Sequence, residues 1–191
     1  MSNFYAYVSR MKLINRWGLM RSAMPENDME HSMQVTMLAH GIGLIARERL
    51  HIEVDLEKIL LMAAYHDAPE VITGDLATPV KYANPGIRDA FHNMEHLAAE
   101  QLLGMLPEDL QPHMRQALLP DEACREWRIV KAADKLSAYI KCLEELNAGN
   151  REFSRAQASL LEQLQQMELP ELTLFMKTFG DGFRLTLDEM D

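Results

Sequence analysis

The chain reads as all-α. Apolar residues recur at steps of three and four over eight stretches, Pro, Gly and Asn punctuate the joins, and no run alternates apolar and polar like a half-buried strand. These observations predict helices over residues 3–20, 28–48, 56–73, 85–104, 107–118, 122–147, 152–167 and 170–179. Residues 1–191 show no repeat, low-complexity tract or linker, and they are read as one domain with one substantial core.

The elements follow in order. Residues 3–20 mix Arg10, Lys12 and Arg16 with Leu13, Ile14 and Trp17, and lack the apolar centre and cleavage site of a signal peptide. In the second stretch Asn27 is placed to cap, with Glu30 three residues on as in a capping box. His31, Val35, Leu38, Ile42 and Ile45 then form one inward face. The third helix starts after Asp55 and runs Leu56, Ile59 (or Leu60), Ala63, His66, Asp67 and Glu70, so an apolar seam ends in a polar cluster. Pro69 removes a backbone donor and crowds the carbonyl of Tyr65, so the helix kinks or ends there.

The long connection is residues 74–84. Asn84-Pro85 reads as a cap followed by the first helical position, and Pro107 and Pro170 are also placed to start helices. The 122–147 stretch carries the stripe Trp127, Val130, Asp134 and Ala138, and Gly149 is placed to end it. The tail 180–191 alternates Phe183, Leu185 and Leu187 and is expected to lie extended along the body.

Composition narrows the function. The net charge of −10 argues against a grip on nucleic-acid polymers. No apolar run approaches the ~18 residues that would suggest a membrane span. Cys124 and Cys142 fall on one helix, too far apart to bond, so free thiols and a cytoplasmic setting are expected. The 14 methionines are read as adaptable core filler.

Three inward positions carry chemistry: Glu30-His31-Ser32, Tyr65-His66-Asp67-Ala68-Pro69-Glu70, and Lys131-Ala132-Ala133-Asp134-Lys135. A lone histidine on an apolar face is ordinarily a hydrogen-bonded core residue, and a lone buried aspartate ordinarily caps a helix or pairs with a lysine, here Lys131 or Lys135. Two histidines and two acids, each at an inward position, are costly to bury unless they are paired or hold a metal. His31, His66, Asp67 and Asp134 are therefore the expected ligands of one divalent ion. Their nitrogen and oxygen donors suit Co²⁺, Mn²⁺, Fe²⁺ or Ni²⁺, with Zn²⁺ also compatible. Such an ion would polarise a phosphoryl group and activate a water. Glu70 is then the acid/base group, or else a partner that orients a ligand histidine.

The order H…HD…D resembles the HD-domain superfamily of metal-dependent phosphohydrolases, which implies a helical HD-type bundle. The resemblance widens with Leu13-Ile14-Asn15-Arg16-Trp17, Thr73-Gly74-Asp75-Leu76-x-Thr78-Pro79-Val80-Lys81-Tyr82 and Lys141-Cys142-Leu143-Glu144-Glu145-Leu146. Together these motifs look like the bacterial 5′-deoxynucleotidases of the YfbR type, nearly end to end. That family implies a homodimer that hydrolyses deoxyribonucleoside 5′-monophosphates, with activity favoured by Co²⁺ in vitro. It implies that Arg16 contacts the phosphate, that Trp17 packs on the sugar or base, and that the loop Asp75, Leu76, Ala77 and Thr78 meets the nucleoside. His31, Asp67 and Asp134 also border the substrate in that scheme. Ala77 stands where relatives carry Pro, which bears on loop stiffness rather than chemistry. Lys81 is a weaker phosphate candidate.

Four other readings compete. Hydrolysis of a nucleoside triphosphate would need more cations than Arg16 and Lys81. A cyclic-dinucleotide hydrolase of this superfamily would carry a Gly-Tyr-Pro motif, which the chain lacks. A metal-stabilised nucleotide sensor would have no use for Glu70, and a helical adaptor leaves four inward polar residues unexplained.

Overall fold

A computed structural model describes residues 1–81 and 83–190, with Thr78 described by its backbone alone. Ten α-helices are described: α1 (Phe4–Val8), α2 (Asp28–Leu44), α3 (Leu56–Tyr65), α4 (Glu70–Thr73), α5 (Thr78–Lys81), α6 (Pro85–Gly104), α7 (Gln111–Leu118), α8 (Arg125–Asn147), α9 (Ser154–Gln166) and α10 (Pro170–Phe179). Among the described residues there is no strand, only one isolated antiparallel bridge between Asn15 and Asn27. The all-α class is as the periodicity indicates.

Local chemistry sets the boundaries. Asn27 accepts from the backbone N–H of Met29 and Glu30, while Glu30 accepts from Asn27, a complete capping box. Asp55 caps α3 through Lys58 N–H at 3.0 Å, and Asn84 caps α6 through Ile87 N–H at 2.9 Å. Ala148 closes α8 and Gly149 takes φ +84°, where glycine is at ease.

Several expectations fail at their edges. The predicted 3–20 helix stops early. After a 3₁₀ turn at Ser9–Leu13 the chain extends at Ile14, and Trp17 takes φ +58°. Backbone bonds Asp28 N–H to Ile14 and Arg16 N–H to Glu26 (3.1 and 3.0 Å) replace helical ones. The second helix finishes in a π turn, Ile45–Arg49. Pro107 opens a turn four residues ahead of α7, with Leu110 N–H bonded to its carbonyl at 2.9 Å. Cys124 caps α8, which begins three residues later than expected. The tail forms 3₁₀ turns at Gly180–Arg184 and Leu187–Glu189 rather than an extended strand.

Two apolar clusters carry the packing. The larger joins α2, α3 and α8 with α9 and α10 through Val35, Ile42, Ile59, Leu136 and Phe175. Gly43 permits the α2–α3 approach, because a methyl group there would meet Leu56 and Ile59 at 2.8 and 2.9 Å. The smaller joins α1, α6 and α7 through Phe4, Met11, Leu102 and Leu118, and it includes Ala68. The His66-Asp67 turn therefore lies where the two clusters meet. The methionines are not chiefly core. Met11 and Met62 are fully buried, whereas Met24, Met29, Met33 and Met37 are exposed. Cys124 is partly exposed, Cys142 is buried, and both are free thiols. No described helix is long and apolar enough to cross a membrane.

Buried ions tie the bundle together. Arg125 donates two hydrogen bonds to Glu171, at 3.0 and 2.9 Å, joining the start of α8 to α10. Fully buried Glu145 accepts from Lys141 Nζ (2.6 Å), Asn150 Nδ2 (2.7 Å) and the backbone N–H of Ala23 (2.8 Å) and Met24 (3.2 Å). Burial alone would raise its pKa, but these donors outweigh burial and bring it down to about 2. An unfolded glutamate titrates near 4.3, so the unfolded chain binds this proton first. Glu145 therefore stabilises the fold fully above about pH 4.3, and that contribution is lost as pH falls toward about 2. The gap in urea midpoint between wild type and Glu145→Gln is expected to be widest near neutrality and to close over that interval; a gap independent of pH would refute it.

Candidate metal and active site

Pro69 shapes this site. Lacking an N–H, it cannot continue α3, and the chain turns through residues 66–69 before α4 resumes at Glu70. The helix ends rather than kinks. Ala68 N–H bonds the Tyr65 carbonyl at 3.0 Å, and Glu70 N–H bonds that of Asp67 at 2.9 Å. This turn brings the neighbouring side chains of His66 and Asp67 to one place.

Two histidine rings converge there, with centroids 5.3 Å apart. His66 Nδ1 lies 2.8 Å from the carbonyl of Ala63, which can only accept, so Nδ1 is the donor and Nε2 is the atom that can offer a lone pair to a cation. The buried His66 Nε2 makes no hydrogen bond. His31 Nδ1 lies 3.0 Å from Ser137 Oγ, whose hydroxyl donates to Gln34 at 2.6 Å. That chain makes His31 Nδ1 the donor and turns Nε2 toward the acids, where it is the atom that can offer a lone pair to a cation. His31 Nε2 faces Asp134 Oδ1 at 3.1 Å and Asp67 Oδ2 at 3.5 Å, and His66 Nε2 faces Asp67 Oδ2 at 3.2 Å.

This donor set fits a divalent cation: two buried imidazole Nε2 atoms, one of them without a hydrogen bond, face two carboxylates. One ligand atom from each of His31, His66 and Asp134 lies within 4.8 Å of the others, and Asp67, Glu70 and Asp28 form an adjoining group on the same criterion. Asp134 lies at the margin of the face that α8 buries, and its Oδ2 accepts from Lys131 at 2.9 Å. Lys135 instead reaches Gln163 at 2.8 Å.

Arg16 enters from the 14–27 loop. Its Nη1 donates to Asp67 Oδ2 at 2.9 Å and lies 3.7 Å from Asp28. Burial opposes its charge, but Asp67, Asp134 and Glu26 hold it protonated. Trp17 donates Nε1 to Glu26 at 3.0 Å and rests its ring on Phe153, with centroids 5.3 Å apart. Asp75, Leu76 and Ala77 follow Gly74 (φ +72°) as a half-buried loop. Burial raises the Asp75 carboxyl while Arg16 offsets part of that rise, which places Asp75 in the same electrostatic field. The Thr78 side chain lies outside the described residues, as does Tyr82. Lys81 is drawn away, donating to Glu95 at 2.8 Å and sitting over the Phe91 ring.

Sequence reasoning missed Asp28. It is fully buried, and neither carboxylate oxygen has a hydrogen-bond partner. Burial and Asp67 raise it to about 7, with Arg16 opposing. Burial and the charges of Asp67, Asp28 and Asp75 push Glu70 well above the usual carboxylate range. The signal was present: Asp28, His31, Val35, Leu38 and Ile42 are one helical face, extended a step beyond the histidine. Ser137 and Gln34, which orient His31, were also unmarked.

Comparison with known proteins identifies the family. Residues 3–183 match the family described as 5′-deoxynucleotidase YfbR-like. The chain belongs to that family. A 5′-deoxynucleotidase of Vibrio parahaemolyticus is 48% identical over 99% of this chain and 98% of its own. One from Photorhabdus laumondii is 49% identical over 100% and 97%. Among solved structures, an HD-domain phosphohydrolase from Listeria innocua superposes with a TM-score of 0.83 at 24% identity, covering 95% of this chain and 88% of that one. A cyanophage S-2L HD phosphohydrolase, bound to dA and one catalytic Zn²⁺, gives 0.67 at 23%, covering 95% and 96%. The fold is that of the HD phosphohydrolases, and membership of the family makes the chain a metal-dependent phosphohydrolase.

Proposed function

We propose that the protein hydrolyses deoxyribonucleoside 5′-monophosphates to deoxynucleoside and phosphate. The observation that carries this reading is the buried His66 Nε2, which makes no hydrogen bond and faces Asp67 beside His31 and Asp134 with buried Glu70 adjoining. His31, His66, Asp67 and Asp134 would hold the ion. When bound, a divalent ion supplies Lewis-acid polarisation of the phosphoryl group and lowers the pKa of a water. Co²⁺ is the metal expected in vitro; Mn²⁺, Fe²⁺ and Ni²⁺ suit the same donors, and the zinc of the cyanophage neighbour is consistent with them. The family relation also supports a cytoplasmic homodimer as the working form.

The chain's own residues divide the remaining work. Arg16 offers its guanidinium to the phosphate as a forked donor while Asp67 holds it in place. Glu70 moves the proton: its Oε2 is buried and has no hydrogen-bond partner, so it can take a proton from water or give one to the leaving 5′-oxygen. The new phosphorus–oxygen bond forms to water, the ester bond to the 5′-oxygen breaks, and the proton ends on that oxygen. Lys81 is committed to Glu95, which favours one phosphate over three.

Phosphate release from dAMP against AMP and dTMP against UMP, after chelation and with Co²⁺, Mn²⁺, Mg²⁺ or Zn²⁺ restored, tests the reading. Metal-dependent release from the deoxy substrates is expected. Nucleotide binding without release under any metal would make the protein a sensor or direct it to another phosphate ester. An apolar pocket rejects an added hydroxyl only by roughly a hundredfold, so exclusion of ribose needs a rigid wall. Trp17 is that wall, and Trp17→Ala is expected to narrow the dAMP/AMP ratio of kcat/KM; an unchanged ratio removes it from the role.

A further inference from the structure

We propose that the buried Lys141–Glu145 pair, with Asn150, is a positioning device for the reaction, setting where the loop carrying Arg16 and Trp17 stands relative to the metal ligands. The inference rests on the nucleotidase reading above for its substrate. It explains a motif, residues 141–146, that the site itself does not use.

The loop spans residues 14–27. Its neck is closed by the Asn15–Asn27 bridge, and Arg16 and Trp17 follow directly on the neck. Trp17 sits at φ +58°, a region a bulky side chain avoids, and such a conformation persists only where the surroundings over-determine it. The surroundings do so from the end of α8. Glu145 receives the N–H of Ala23 and Met24, while the Lys141 ammonium donates to Glu145 and to the Met24 carbonyl. Asn150 Nδ2 donates to Arg21 O at 2.6 Å as well as to Glu145, and Glu152 accepts from Arg21 N–H at 3.3 Å. Phe153 completes the seat under the Trp17 ring.

The partners lie on one helix face. Asp134, Lys141 and Glu145 are separated by seven and four residues, so a single straight stripe of α8 carries a metal ligand at one end and the loop's anchor at the other. The span is about 16 Å at the helical rise. A rigid helix thereby fixes both with respect to each other. A buried charge pair is a costly way to gain stability alone, because its desolvation offsets its attraction. Its value here is directional: hydrogen bonds to two successive N–H groups and one carbonyl fix the loop in one register, which apolar packing would not.

The test uses the full chain in a Trp127→Phe background, leaving Trp17 as the remaining indole of two. Two variants are compared, Glu145→Gln and Asn150→Ala; the second keeps the buried ion pair and guards against simple failure to fold. The readouts are Trp17 emission and acrylamide quenching, kcat and KM for dAMP and AMP, and Co²⁺ affinity by calorimetry. Expected are a red-shifted, more quenchable Trp17, a KM for dAMP raised by ~10-fold with a smaller change in kcat, a narrowed dAMP/AMP ratio, and Co²⁺ affinity as in wild type. Folded variants with wild-type emission and KM would overturn the inference. So would a parallel loss of Co²⁺ affinity, which would mean general loosening instead of loop placement. If Trp17→Ala leaves the dAMP/AMP ratio unchanged, the sugar-wall role fails by itself, and emission and KM still decide the positioning role.

Discussion

Glu70→Gln is expected to lower kcat for phosphate release by ~10²–10⁴-fold, the range for loss of a general acid–base group, while Co²⁺ content stays as in wild type. Glutamine keeps the volume and the polar contacts but cannot exchange a proton. The structure adds a second, opposite expectation. Glu70 is buried against Asp28 and Asp67, and that crowding pushes its pKa upward. At neutral pH such a crowded acid must take up a proton as the chain folds, a cost that a neutral glutamine does not carry. The melting temperature of Glu70→Gln in the metal-free protein is therefore expected to equal or exceed that of wild type. Lost activity with retained metal and unreduced stability separates a chemical role from a structural one. Activity within tenfold of wild type would move the proton-transfer role elsewhere, with Asp28 the first group to replace in turn.

The sequence made the inward histidines legible because helical periodicity marks them directly. His31 falls on the Val35–Leu38–Ile42 face and is fully buried. Pro69 announced the break that turns His66 and Asp67 together. The placement of Arg16 was legible only through the family resemblance. Its position depends on an Asn15–Asn27 bridge and on Glu145, 122 residues from its partner Ala23, and no local pattern encodes contacts at that separation. Lys81 shows the converse. This cation in the 74–84 connection was a weak candidate for phosphate, but Glu95 on the next helix claims it. Asp28 was overlooked for a different reason. An acid in the first turn of a helix is ordinarily a surface group favoured by the helix dipole, and only the tertiary fold reveals that this one is sealed beneath Arg16.

Asp67→Asn is expected to abolish both metal retention and turnover, the largest loss of any single substitution here. One oxygen, Oδ2, serves three partners: His31 at 3.5 Å, His66 at 3.2 Å and Arg16 at 2.9 Å. Without the ion these contacts are imidazole–carboxylate pairs, and with Arg16 they hold Asp67 ionised, well below the usual aspartate range despite its burial. An asparagine removes the negative charge that draws a cation between the two imidazoles. It also strips Arg16 of its principal partner inside the protein. Lewis-acid stabilisation amounts to several kcal/mol in a phosphoryl transition state, so its loss is on the order of 10³-fold or more in rate. The check is metal content after loading with Co²⁺ and dialysis, read with the rise in melting temperature that Co²⁺ produces in wild type. Asp67→Asn should show neither metal nor a shift. Arg16→Met is the control: it is expected to keep the Co²⁺-induced shift while KM for dAMP rises. If Asp67→Asn retained Co²⁺ and its thermal shift yet lost activity, Asp67 would serve Arg16 rather than the ion, and the ligand set would contract to His31, His66 and Asp134.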